Sequence, residues 1–158
     1  MATSVQLRPV VKSDIALFFE HHLELRPLPA GASIADLESR KATFVDRWEQ
    51  MRSDERVLAR TIVWKGAVTG YVVHLIQRDK PSISCWLGRD YWGKGVATQA
   101  VRDFLDLIEK RPVYARVAYD NLAAMQVFRK TGFEIVEYDS FFSEAHGYEI
   151  DEIILALS

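Results

Sequence analysis

Residues Ser84 to Leu87 form a short strand-like run, and glycines at 88, 93 and 95 follow before an amphipathic stretch opens at Val96. This combination reads as a strand, a tight turn and the first turn of a helix. Gly93 and Gly95 remove the Cβ atoms that would keep a ligand off the backbone, and a helix start offers free N–H groups carrying about half a unit of positive charge. No acidic side chain stands between Asp90 and Thr98. The segment therefore predicts a site for an anion, with backbone as the binding group.

The same segment constrains topology. From Gly95 onward, Ala97, Val101, Phe104 and Ile108 recur at spacings of four, three and four, one helical stripe, and Val113 to Ala118 then reads as a strand. A strand, helix and strand in this order place Ser82–Leu87 and Val113–Ala118 as parallel neighbours joined by a crossover. Upstream, Val5 to Pro9 alternates like a short strand. Ser13 and Asp14 are expected to open a helix carrying Ile15, Phe18, Phe19 and His22. A loop from Leu25 to Ala35 leads to a second helix with Leu37, Phe44 and Trp48 on its face, ending near Arg52. Val57–Trp64 and Ala67–Gln77 form a hairpin through Lys65-Gly66, and Arg78-Asp79-Lys80-Pro81 turns the chain again. Asn121–Lys130 is a short helix stopped by Gly132, and Phe133–Phe142 with Tyr148–Leu157 close the chain as a hairpin. The order is βααβββαβαββ: an α/β (α+β) fold with a mixed central sheet of about seven strands, and residues 1–158 as one domain.

Composition narrows the partner. At 158 residues with 49% hydrophobic residues, the chain can bury a core without covalent staples. Its net charge of −2 gives no global basic field for nucleic acid or an anionic membrane, so a small partner is expected. Cys85 is the single cysteine, which removes disulfides and thiolate metal clusters from consideration; no metal is expected, and a reducing cytoplasm suits the chain. No run of about 18 uncharged apolar residues occurs.

Two nucleotide motifs come close to the glycine turn. Gly88-x-x-x-x-Gly93-Lys94 follows most of a P-loop, but Gly95 stands where that loop needs Ser or Thr to hold Mg²⁺. A dinucleotide fingerprint needs a third glycine and the first strand of a doubly wound domain, and neither is present. A turn with a purely structural job is the remaining plain reading.

A second segment separates these readings. Asn121-x-x-Ala124-x-x-x-Phe128-x-x-x-Gly132-Phe133, together with Gly93-Lys94-Gly95-Val96-Ala97, resembles the GNAT superfamily of acetyl-CoA-dependent N-acetyltransferases. Leu7-Arg8-Pro9 followed by Asp14 looks like the opening of its ribosomal-protein-alanine N-acetyltransferase branch. The resemblance implies a splayed parallel strand pair and an enzyme that moves an acetyl group from acetyl-CoA to a primary amine, on a small molecule or a protein N-terminus. It implies that backbone N–H groups of Gly93, Lys94, Gly95, Val96, Ala97 and Thr98 cradle the CoA pyrophosphate. The pantetheine arm would pair with the backbone of Cys85, Trp86 and Leu87. Asn121 would face the pantetheine, or cap the helix that follows it, and Phe128 would pack beside the thiol end while serving the core.

Three positions depart from the family pattern. Asp90 stands where many members have Gln or Arg, Phe128 where many have a thiolate-protonating tyrosine, and Ala124 where this branch often has serine. Direct attack on a thioester needs a neutral amine, hence a base or water chain, and a donor for the growing oxyanion. Glu20, His21 and His22 on the first helix, His74 on a strand, Ser84 beside the reaction centre, and Glu144 and His146 on the last loop are the candidates; each also has an ordinary surface or core reading. Cys85 has no sequence-adjacent histidine and reads as inert. A non-catalytic acyl-CoA-binding or sensing domain is the alternative that the missing hydroxyls leave open, and an interaction module without a cofactor is a third. The edges of the closing hairpin offer a route to a homodimer.

Overall fold

The computed structural model describes residues 4–143 and 147–158. Strand β1 (Val5–Pro9) is followed by helices α1 (Lys12–Leu25) and α2 (Ile34–Ser53) and by the meander β2 (Leu58–Trp64), β3 (Ala67–Gln77) and β4 (Lys80–Leu87). Then come α3 (Val96–Leu105), β5 (Val113–Ala118), α4 (Leu122–Lys130), β6 (Glu134–Ser143) and β7 (Tyr148–Leu157). The expected element order is realised. One sheet of seven strands runs β1-β2-β3-β4-β5-β7-β6, antiparallel throughout except where β4 meets β5 in parallel.

Strand alternation divides the sheet into two faces. On one, Ile62, Val72, Ile83, Leu87, Val113, Ala115, Val117 and Leu155 pack under α3 and α4 with Val96, Val101, Phe104 and Phe128. On the other, α1 and α2 cover Tyr71 and Val68 through Phe18, Trp48 and Phe44. The second face is called the front below.

Local chemistry sets the turns. Lys65 and Gly66 both take positive φ, 53° and 78°, which a two-residue hairpin turn of this hand requires. Arg78 and Asp79 do the same at 48° and 64°, so that turn is two residues long and Lys80 and Pro81 belong to β4, opposite Gln77 and Ile76. The expected helix start at Ser13 is corrected: α1 begins at Lys12 with Val11 as its N-cap, and Asp14, in the first turn as expected, reaches back to the N-cap backbone while also turning inward. Its carboxylate accepts from the Val11 N–H at 2.9 Å, from the Arg8 guanidinium at 2.7 and 2.9 Å, and from the Thr61 hydroxyl at 2.7 Å. One side chain thereby ties β1, α1 and β2 together.

No helix among the described residues is long and apolar enough to cross a membrane. No group of three or more His, Cys, Asp or Glu among them is placed to hold a metal ion.

Candidate functional site

The turn after β4 is built in steps. Gly88 donates its N–H to the Thr69 carbonyl at 2.9 Å and lies so close to the His21 ring that a Cβ there would sit 3.0 Å from it. A single 3₁₀ turn, Arg89–Tyr91, follows, and the Trp92 indole N–H bonds back to the Leu87 carbonyl at 3.0 Å. Gly93 and Gly95 then take φ of 72° and 79°. Around Gly93 a Cβ would meet nothing within 4 Å, so glycine is required there for backbone conformation, not for space.

Helix α3 starts immediately after Gly95, with its first intrahelical bond from Gln99 N–H to the Gly95 carbonyl at 3.1 Å. The N–H groups of Gly93 to Thr98 find no acceptor among the described residues, and no acidic side chain occupies the first turn. Val96, Ala100, Val101 and Phe104 anchor the helix in the core. A rigid helix N-terminus with unspent donors faces outward beside the end of β4.

Strand β4 itself opens. Its parallel pairing to β5 is confined to Ser82 opposite Tyr114, whereas on its other side β3 follows it to the end, Gly70 opposite Leu87. Residues Ser84 to Leu87 thus have one paired edge and one open edge. Gly70 keeps β3 close: a Cβ there would overlap the Trp86 carbonyl oxygen. The splayed pair expected from sequence is present, and its opening lies directly above the glycine turn.

The candidate residues from sequence divide by face. Ser84, opposite Val73, and Trp86, opposite Tyr71, point to the front, while Cys85 and Leu87 point to the α3 core. Burial pushes the Cys85 thiol up to about 12, which removes it as a nucleophile. Asn121 caps α4, its Oδ1 accepting from the Ala124 N–H at 3.1 Å, and Phe128 is a core residue packed against Phe133 with ring centroids 5.2 Å apart. Lys94 is exposed beside the turn.

His22 lies flat on the Trp86 ring, centroids 3.9 Å apart and planes 6° from parallel, and its Nε2 shares a 3.1 Å hydrogen bond with the Tyr71 hydroxyl. Phe44 of α2 meets its edge at 5.0 Å. Burial, helped by the charges of Arg26, Arg40 and His21, lowers the His22 pKa to about 4, so the imidazole is neutral at neutral pH. Burial also raises the Tyr71 phenol above its ordinary value.

The structure separates two of the other candidates from this cluster. Glu20 stands exposed on α1. His74 pairs with Ile83 and, three residues from Tyr71 on an unbroken strand, projects from the opposite face, so it cannot meet His22; burial lowers its pKa. His21 packs on Gly88 and Tyr91, with Nδ1 buried and without a hydrogen-bond partner among the described residues. Glu144 and His146 lie outside the described residues.

Sequence reasoning missed the rest of the front face. Arg116, on β5 beyond the point of opening, bonds through Nε to Glu152 at 2.9 Å and through its terminal nitrogen to Asp139. Arg78 reaches the same Asp139 at 3.7 Å and lies 3.8 Å above the Phe141 ring. The period-two alternation could have placed Tyr71, Ser84, Trp86 and Arg116 on their strand faces, but nothing in it says that α1 would bring His22 onto Trp86.

Comparison with known proteins gives this geometry a family. No curated protein matches the chain by sequence. Among solved structures, Mycobacterium smegmatis RimJ in complex with CoA-disulfide superposes with a TM-score of 0.76 at 21% identity, covering 97% of this chain and 81% of that one. The Microcin C7 self-immunity acetyltransferase MccE, in complex with acetyl-CoA and AMP, gives 0.74 at 17% identity, covering 98% and 92%. The ribosomal-protein-S5-alanine acetyltransferase of Vibrio fischeri gives 0.72 at 20% identity, covering 97% and 92%. At these identities the likeness is one of fold, and the fold is the one expected from the two sequence segments. The family model described as "Acetyltransferase (GNAT) domain" matches residues 4–134, which include the opened strand, the glycine turn, α3 and α4. The chain belongs to that family and is an acetyl-CoA-dependent acyltransferase.

Proposed function

We propose that this protein N-acetylates a primary amine, on a small molecule or a peptide N-terminus, by direct attack on acetyl-CoA in a ternary complex. The observation that carries the reading is the juxtaposition of the open β4 edge with the unspent N–H groups of Gly93 to Thr98. A pyrophosphate on the turn and an extended pantetheine arm along Cys85, Trp86 and Leu87 would meet both sets of donors, and the arm would run from the turn toward Ser84. Lys94 adds a cation beside the phosphates, Asn121 holds the start of α4, and Phe128 backs the site from the core.

In the reaction the amine nitrogen attacks the thioester carbonyl carbon, the C–S bond breaks, and the CoA thiolate leaves while the amine proton passes to water or base. A backbone N–H on the open edge of β4 is positioned to receive charge growing on the thioester oxygen. Holding both substrates against one strand supplies the proximity term. Ser84 is placed to bind a water on the front face. His22, neutral and held against Trp86 and Tyr71, serves as a wall for the acceptor rather than as the base, because a group with a pKa of about 4 is a weak proton acceptor near pH 7.

The test is calorimetric titration with acetyl-CoA beside ATP and NAD, followed by release of free CoA thiol with an amine panel. Saturable binding of acetyl-CoA alone and thiol release with at least one amine are the expected results. Binding without release from any amine would refute the transferase assignment, and equal binding of ATP would refute the site.

A further inference from the structure

The outermost strand, β6, leaves the core almost entirely. Tyr138 is 66% exposed, Phe142 61% and Val136 56%. Register places the first two on the face opposite Arg116, because Tyr138 pairs with Ile153 and Phe142 with Glu149. Between them Ser140 pairs with Asp151, whose carbonyl accepts from Tyr119 N–H at 3.0 Å, and Tyr119 is itself 60% exposed. Tyr138 and Phe142 thus flank Ser140 on the face that also carries its partner Asp151 and Glu149, the partner of Phe142.

Charge across the hairpin is one-signed. Glu134, Glu137, Asp139, Glu149, Asp151 and Glu152 lie on β6 and β7, and neither strand contains a Lys or Arg. Arg116 and Arg78 neutralise Asp139 and Glu152 on the front, but Glu149 and Asp151 pair with no cation among the described residues. Carboxylates interleaved with exposed aromatic rings are the chemistry that holds Lys and Arg, through ion pairs and cation–π contact. The free edge of β6 adds backbone donors and acceptors for an incoming strand. A second copy of this chain fits badly, since pairing β6 to β6 would set like charges opposite one another.

We propose that the β6 edge and its aromatic, acidic back face form a docking surface for a basic, extended polypeptide, separate from the acetyl-transfer site. The probe is a fluorescent ten-residue peptide alternating Lys and Val, with its Glu-for-Lys counterpart, titrated by anisotropy into the full chain at low and moderate salt. Expected are saturable, salt-weakened binding of the Lys peptide only, slowed amide exchange along Glu134–Phe142, and at least a tenfold loss of affinity in Tyr138→Ala/Phe142→Ala. The isosteric pair Glu149→Gln/Asp151→Asn should lose affinity similarly, and it decides the matter if the alanine variant fails to fold. Equal binding of both peptides, no binding, or a concentration-dependent dimer of the chain alone that Tyr138→Ala dissociates would overturn the proposal.

Discussion

Asp14 is 2% exposed and yet stays ionised. Burial works against the carboxylate, but the Arg8 guanidinium, the Val11 N–H and the Thr61 hydroxyl outweigh it, and its pKa ends below the ordinary value. The folded state therefore gains stability above the unfolded pKa near 4 and loses it as pH falls through the lower folded value. Asp14→Asn should cost about 1.5–3 kcal/mol at pH 7, the range for hydrogen bonds to a charged group. Urea midpoints of the two proteins should converge in acid, where the wild-type carboxylate is itself protonated. His22 carries the opposite logic. Its folded pKa of about 4 lies below the ordinary imidazole value of 6.5, so the unfolded chain binds the extra proton between those values and stability falls as pH drops through that window. His22→Phe keeps a flat ring on Trp86 and removes the titration; its urea midpoint should vary less between pH 6.5 and 4 than that of the wild type. Retention of the wild-type kcat/KM pH profile near 7 in the same variant would confirm that His22 is not the base.

At the scale of elements, the strand–turn–helix unit holds the strongest coupling of sequence to site. Gly95 sits at φ 79°, immediately before α3, where a side chain is strained and where its N–H is one of the unspent donors. Gly95→Asn tolerates that backbone and should weaken acetyl-CoA binding only several-fold, whereas Gly95→Glu adds a carboxylate at the proposed pyrophosphate site and should abolish measurable binding by calorimetry. Comparable losses in both variants would mean that backbone strain, not charge, is responsible. This unit was readable in the sequence because glycine spacing and an apolar stripe encode it locally. Lys65-Gly66 was readable for the same reason, while the two-residue turn at Arg78-Asp79 was not, since no glycine marks it and Pro81 suggested a longer loop. Asp14 was legible as a helix-start residue, but its further partners, Arg8 on β1 and Thr61, 47 residues away, were not, because only the fold brings them to it. The same non-locality hid the stack of His22 on Trp86 and the need for glycine at position 70, which only the Trp86 carbonyl imposes. Alternation would have set His74 apart from Tyr71, had both been known to lie on one unbroken strand.

For the whole molecule, the opening between β4 and β5 divides the sheet into a β1–β4 half and a β5–β7–β6 half, bridged by one parallel pair, Ser82 and Tyr114, and by the shared core under α3 and α4. An opening of this kind leaves backbone groups of β4 without partners and is costly unless something else satisfies them. The Trp92 indole takes the Leu87 carbonyl, and the remaining groups are the ones assigned above to the pantetheine arm. Acetyl-CoA should therefore act as the missing strand and stabilise the fold. At one hundred times its Kd, it should add about 2.7 kcal/mol and raise Tm by roughly 5–10 °C. Hydrogen exchange distinguishes this reading from general tightening. Protection should rise at Ser84–Leu87, at amides pointing away from β3, and at Gly93–Thr98, which would gain acceptors. Amides of β2, paired on both sides and remote from the opening, should change little. Protection spread evenly over the sheet, or confined to β6, would show that the ligand sits elsewhere and that the opening is only a feature of packing.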